Sequence, residues 1–292
     1  MESYFLDSSF IAIALILGLL VGSFLNVVIL RLPKIMYSSW RRECEEFLEE
    51  NKNNPDTQEE EKFGLAFPNS HCPKCKAPIK AWQNIPVLSY LLLKGKCGSC
   101  KVSIPLRYPI IELISGVLTA WAVWYFSFSY EAGLAIIFSW CLLSLTFIDA
   151  DHQLLPDSIT FPLLWLGLLA NSFGLFTDLK SAVYGAVFGY LSLWSVYWLF
   201  KLLTKKEGMG HGDFKLLAAL GAWMGAKMLL PIIVMSAFVG AVLGIAMILI
   251  YGRDKAKPIP FGPYLAIAGW ICFYWGEAIL AWYWQLSGVN QI

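Results

Sequence analysis

Charge is scarce in this sequence. Only 15% of its 292 residues are Asp, Glu, Lys or Arg, and 22 basic residues against 21 acidic ones leave a net charge of +1. No global field therefore points to nucleic acid as a partner. A basic N-terminal flank is missing too: Glu2 and Asp7 precede the first apolar run, and no Lys or Arg does. A secretory signal has a basic flank and a short apolar core, so the first run is expected to be a retained membrane helix. Outside residues 31–108 there is no long polar stretch, which leaves no room for a separate soluble catalytic domain. Neither an internal repeat nor, within 31–108, a Rossmann-like glycine loop is visible. What the chain does have is apolar sequence, at 58% hydrophobic residues and a mean hydropathy of +0.59. That is too apolar for an ordinary soluble domain.

Runs of about 20 apolar residues at 1.5 Å rise suit the hydrocarbon core of a bilayer. The first is Phe10–Leu30, and seven more follow at about 109–127, 131–148, 158–176, 181–203, 213–225, 228–251 and 261–284. The expectation is an all-α polytopic membrane protein with about eight spans. Its parts would be a first transmembrane helix (1–30), a cytoplasmic loop domain (31–108) and a seven-helix membrane bundle (109–292). Arg31, Lys34, Arg41 and Arg42 follow the first run, and 13 of the 22 Lys and Arg fall in 31–108. By the positive-inside rule that segment is cytoplasmic and both termini are outside. Lys201, Lys205, Lys206, Arg253, Lys255 and Lys257 agree with this topology, whereas Lys180 and Lys227 fall on the outer side. Glu43 to Lys62 is acidic and Asn-rich and reads as helical and then loose, a solvated excursion. Gly185/Gly189 and Gly240/Gly244 have the four-residue spacing that lets membrane helices approach closely. The run 213–225 is short for a span.

Four of the seven cysteines form two pairs, Cys72-Pro-Lys-Cys75 and Cys97-Gly-Ser-Cys100. The spacing C-x2-C-x21-C-x2-C is close to that of two-knuckle zinc sites. Each tight turn donates two thiolates, and four thiolates close a tetrahedral, structural site. Such a metal would staple a segment with too little core of its own. Disulfides compete, but a cytoplasmic loop is reducing. Cys141 and Cys272 lie in apolar runs as packing residues, and Cys44 belongs to no motif.

Chemistry is expected where acids meet the membrane edge. Asp149 adjoins an apolar run, and Asp213 opens another behind Gly208, Gly210 and Gly212. A carboxylate there is costly and is usually removed or used. Each has a bland alternative: Asp213 compensates a helix N-terminus, Asp157 caps one, and Asp151 is solvated. Both Asp149 and Asp213 face the cytoplasmic side in this topology, so they could meet. Two adjacent carboxylates cannot both ionise easily and hold one proton between them. Such a pair has a base to activate water and an acid for the carbonyl oxygen or leaving amine. Glu112, early in an apolar run, calls for a buried partner that the sequence does not name. His152 and His211 read as loop polar residues.

These residues fall into a familiar order. Gly-Ser-Phe-Leu-Asn-Val-Val-Ile-x-Arg-Leu-Pro at 22–33 is followed by the four cysteines, Asn84-Ile-Pro-Val-Leu-Ser and Arg107-Tyr-Pro-x-x-Glu112. Then come Asp149-x-Asp-x-x-x-Leu-Pro-Asp157, Gly-x-Gly-Asp213-x-Lys215 and Pro260-Phe-Gly-Pro263. Together they resemble the type IV prepilin peptidases, GxGD membrane aspartic proteases of type IV pilus and type II secretion systems, over nearly the whole chain. The resemblance implies cleavage of a basic leader from prepilins and pseudopilins, after a glycine and usually before Phe, at the cytoplasmic face of the bacterial inner membrane. It implies Asp149 and Asp213 as the catalytic pair. It also implies N-methylation of the new terminus with S-adenosylmethionine, a function associated with the cytoplasmic loop. Gly95 sits at a position linked to that function and reads equally well as a turn residue beside the knuckle. Pro260–Pro263 either lines the site or starts a helix.

Three other readings stay open from the residues alone: a GxGD protease that does not methylate, a proton-relaying transporter, and a non-enzymatic assembly scaffold with a metal-stapled loop. The transporter would suggest inverted repeats, and the protease could dispense with the four cysteines.

Overall fold

A computed structural model describes residues 2–49, 64–206, 208–251 and 260–287. Arg253, Lys255 and Lys257 lie outside the described residues, as does the excursion beyond Glu49 up to 63. The described chain is almost wholly helical: α1 (Glu2–Glu49), α2 (Leu88–Leu92), α3 (Arg107–Phe126), α4 (Tyr130–His152), α5 (Asp157–Ser172), α6 (Leu179–Thr204), α7 (His211–Met224), α8 (Leu229–Tyr251) and α9 (Gly262–Ser287). Only isolated β-bridges occur among the described residues. Six of the helices are long and apolar enough to cross a membrane: α1, α3, α4, α6, α8 and α9. α5 and α7, at 16 and 14 residues, are shorter than a bilayer-spanning helix, so the expected eight spans become six long helices and two short ones. The first helix also runs on past Leu30, through Pro33, to Glu49. The chain divides into two compact units, Met1–Ile136 and Ile137–Ile292.

In the first unit α1 and α3 pair antiparallel. Gly18 lies against Ser115 and Thr119, Gly22 against Glu112, and Asn26 donates to the Tyr108 carbonyl at 3.1 Å. The helices approach because two glycines leave room: a Cβ on Gly22 would stand 2.7 Å from the Glu112 Cα. Ser115 then donates to the Gly18 carbonyl at 2.7 Å. Arg31 turns back to the Gly64 and Leu65 carbonyls at 3.1 and 3.2 Å, tying the start of the metal-loop segment to α1.

In the second unit α7 is the centre. Every residue from Asp213 to Met224 except Lys215 is buried. It need not span the bilayer, because other helices cover it: α6 meets it through Gly185 against Gly221 and Gly189 against the Leu217 carbonyl. On the α5 side, Trp223 Nε1 donates to the Leu163 carbonyl at 2.8 Å and its indole fills the space over Gly167. Asn171 donates to the Ala222 and Trp223 carbonyls at 2.8 and 3.0 Å, so the end of α7 is closed by a side chain rather than by water. Lys227, an exception to the charge rule, pairs with Glu277.

Candidate active site and metal centre

Asp149 lies one turn before the end of α4 and is buried. It would be an uncompensated charge there but for the Gly262 amide, the first of α9, which donates to Oδ2 at 3.0 Å. A side chain at 262 would push that carboxylate aside, since a Cβ would stand 2.7 Å from the same oxygen. Asp213 is the third residue of α7, after the N-cap Gly210, and is equally buried. Its carboxylate lies by Gly210, with Oδ2 4.0 Å from where a Cβ there would stand, at a helix N-terminus whose dipole favours an anion.

Leu155 brings the two acids together. A Cβ on Gly212 would stand 2.8 Å from the Leu155 Cβ, and one on Gly262 3.2 Å from its Cδ1. The residue before Asp213 and the residue bonded to Asp149 therefore flank one side chain. Next to Asp149 a cavity of about 360 Å³ opens between Ala150–Gln153, at the end of α4, and Pro260, Pro263 and Tyr264, at the start of α9. The Pro260–Pro263 stretch thus has two placements at once: it starts a helix, and it lines the cavity.

The remaining acids separate from the pair. Asp151 is exposed at the cavity wall. Asp157 does not cap α5, whose N-cap is Pro156. It takes Lys215 in a two-pronged ion pair at 2.7 and 2.8 Å, which fixes the start of α5 to the first turn of α7. His211 is the first residue of α7 and packs its ring against Tyr197 and Phe214. The Gly262 amide and Leu155 are the site residues that sequence reasoning missed. A backbone donor and an apolar spacer leave no chemical signature in a sequence, although the resemblance had drawn in the Pro-Phe-Gly-Pro stretch around Gly262.

The four cysteine sulfurs, Cys72, Cys75, Cys97 and Cys100, lie within 4.8 Å of one another. Both knuckles are built alike. Cys72 N–H donates to the Ala77 carbonyl and Lys76 N–H to the Cys72 carbonyl; Cys97 donates to Val102 and Lys101 to Cys97 in the same pattern. The turn closes each time through a left-handed lysine, Lys76 at φ 58° and Lys101 at φ 57°. The first thiol of each knuckle is held below the usual cysteine range: the Cys75 and Lys74 amides bring Cys72 to about 6, and the Cys100 and Ser99 amides lower Cys97. Tetrahedral thiolates at about 2.3 Å from zinc stand about 3.8 Å apart. Cys72 Sγ and Cys100 Sγ are 3.8 Å apart, so the donor set fits a metal. Gly95 has φ +67° with its amide on the Tyr90 carbonyl, and a Cβ there would stand 2.8 Å from the Tyr90 hydroxyl. Only glycine suits that turn.

Comparison with known proteins agrees with this division. Residues 16–126 match the bacterial peptidase A24 N-terminal domain, and 136–245 match the type IV leader peptidase family. The boundary between the two falls where the two structural units part. A protein of Stutzerimonas stutzeri named prepilin leader peptidase/N-methyltransferase is 55% identical over 96% of this chain and 95% of its own length. Proteins of the same name from Pseudomonas aeruginosa (53% identical, covering 96% and 95%) and Neisseria gonorrhoeae (51%, covering 92% of each) are similar. No solved structure gives a significant match. On the strength of these matches across nearly its whole length, the chain is a multi-pass membrane protein that belongs to the type IV leader peptidase family.

Proposed function

We propose that this protein is a bifunctional membrane enzyme that cleaves the leader from type IV prepilins and methylates the new N-terminus. The observation that carries the peptidase half is the convergence of two buried carboxylates, Asp149 and Asp213, on either side of Leu155, with a cavity open next to Asp149. In this reading they are the catalytic residues and share one proton. The ionised carboxylate takes a proton from water as the oxygen attacks the scissile carbonyl carbon, and the protonated one gives its proton to the carbonyl oxygen. Collapse of the tetrahedral intermediate then breaks the C–N bond, with proton transfer to the leaving amine. The Gly262 amide orients Asp149. Type II secretion pseudopilins, which share the basic leader and apolar helix, are clients of the same site. In this reading the protein sits in the bacterial inner membrane, with the four-cysteine loop and the acids on the cytoplasmic side and both termini outside.

For the methyltransferase half the reading places zinc on Cys72, Cys75, Cys97 and Cys100 as a structural ion, with all four positions filled by protein. S-adenosylmethionine supplies the methyl group. Gly95 is assigned to that half because of its motif position and because its turn sets the approach of the second knuckle: the Gly95 carbonyl accepts the Ile104 amide at 2.7 Å.

The test uses purified protein in detergent, a synthetic prepilin and labelled S-adenosylmethionine, with mass spectrometry of the product and metal analysis of the enzyme. The expected product is cut after glycine and carries one added methyl group, from an enzyme holding one zinc per chain. Cleavage without methylation would reduce the function to that of a peptidase, and an uncut substrate would overturn the reading.

A further inference from the structure

Between the knuckles, residues 85–93 read Ile-Pro-Val-Leu-Ser-Tyr-Leu-Leu-Leu, an apolar run bounded by exposed Lys80 on one side and exposed Lys94 and Lys96 on the other. Its orientation is the reverse of a water-facing helix. Pro86 and Ser89 are turned into the protein, while Ile85, Leu88, Leu91 and Leu92 are 44–66% exposed. Four large apolar side chains on one short segment make a patch that water does not favour.

The hydrogen bonds of this segment say how deep it sits. The Val87 amide donates to Glu112 Oε2 at 2.8 Å, and Asn84 Oδ1 accepts from Ser23 Oγ at 3.4 Å. Glu112 is five residues inside α3 from Arg107, about 7.5 Å along the axis, and Ser23 is eight residues inside α1 from Arg31, about 12 Å. Both partners therefore belong to membrane-crossing stretches, below the ring of basic residues at their mouth. The outward faces of those stretches are apolar at the same level, through Leu20 and Phe24 on α1 and Ile110 and Leu113 on α3, so the patch continues a lipid-facing surface.

The backbone is built for that depth. Where water is absent every amide needs an internal partner. Leu88 N–H turns back to the Pro86 carbonyl, a γ-turn that holds Val87 at φ 56°, a strained setting for a β-branched residue. Ser89, Leu91 and Leu93 donate to the Ile85, Val87 and Ser89 carbonyls. The amide that this turn leaves over, that of Val87, is the one Glu112 accepts.

We propose that residues 85–93 form an interfacial membrane anchor. The segment dips into the acyl-chain boundary of the bilayer beside α1 and α3, Glu112 closes its turn, and Lys80, Lys94 and Lys96 hold anionic headgroups at its rim. It seats the two-knuckle metal centre against the membrane surface rather than leaving it on a free loop.

The experiment uses the full-length protein in vesicles of phosphatidylethanolamine and phosphatidylglycerol. A small fluorescent amino acid is introduced singly at Leu92, at Leu88, at Ser99 in the second knuckle, and at Phe238 within α8. Each labelled protein is first shown to bind its metal. Lipids brominated near the headgroup end of the acyl chain should quench the Leu92 and Leu88 labels several-fold more than the Ser99 label. They should also quench those two more than lipids brominated near the chain terminus do. The Phe238 label should show the opposite depth preference. If the Leu92 and Leu88 labels are quenched by aqueous iodide as strongly as Ser99, and no more than Ser99 by either bromolipid, the segment lies in water and the proposal is overturned.

Discussion

Both units bury carboxylates among apolar helices, and they treat them differently. In the first unit Glu112 accepts the Val87 amide of a strained turn, a local backbone partner. In the second, Asp149 takes the Gly262 amide and Asp213 opens a helix, the two approach each other across Leu155, and a cavity opens next to Asp149. A buried acid with a local partner is a structural device. Two acids that a fold brings together, against their mutual repulsion and near space for a substrate, are the arrangement that the proposed chemistry requires. Burial alone does not separate these cases; the company each acid keeps does.

The comparison can be broken most severely at the pair itself. Asp149→Asn should lower cleavage of a prepilin peptide by about 10²–10⁴-fold, the usual worth of a positioned acid or base, and leave bound metal unchanged. Product quantification by mass spectrometry beside metal analysis checks both halves. Gly262→Ala sharpens the point, because its Cβ would crowd the Asp149 Oδ2 at 2.7 Å. A displaced carboxylate should cost up to about 100-fold in cleavage while methylation of an already cleaved pilin peptide continues.

The structural acid should behave otherwise. Glu112→Ala strands the Val87 amide and should cost about 1–3 kcal/mol of stability, read as a lower thermal midpoint in detergent, with Glu112→Gln recovering most of it. The smallest effect is expected at Lys215. Its pairing with Asp157 is partly exposed, at 25% and 52%, so Lys215→Met should cost no more than about 1 kcal/mol in the same melt.

Much of the molecule is legible in its sequence. The apolar runs announce a membrane bundle, the C-x-x-C pairs a four-cysteine cluster able to hold a metal, and the acids at the edges of apolar runs a candidate site, because each is a local pattern with its own chemistry. What stays hidden is long-range. Glu112 needs a partner 25 residues away, and Asp149 one 113 residues away, and both partners are backbone amides that any residue but proline supplies. The short α5 and α7 mislead because periodicity and hydropathy report burial without saying what covers the helix. α7 is apolar because other helices surround it, and its Gly221 is small because Gly185 comes within backbone contact. Helix after Glu43 is expected from the sequence, but its unbroken continuity with the first span through Pro33 is not, because the span is taken to end where the charges begin.

The central claim is that the two acids form one peptidase site separable from methyl transfer. The most direct measurement assays purified Asp213→Asn on two substrates, an intact prepilin peptide and the same peptide already cut at its glycine. The account predicts no detectable cut of the first and near-normal methylation of the second. Cleavage of the intact peptide at the unaltered rate would contradict it.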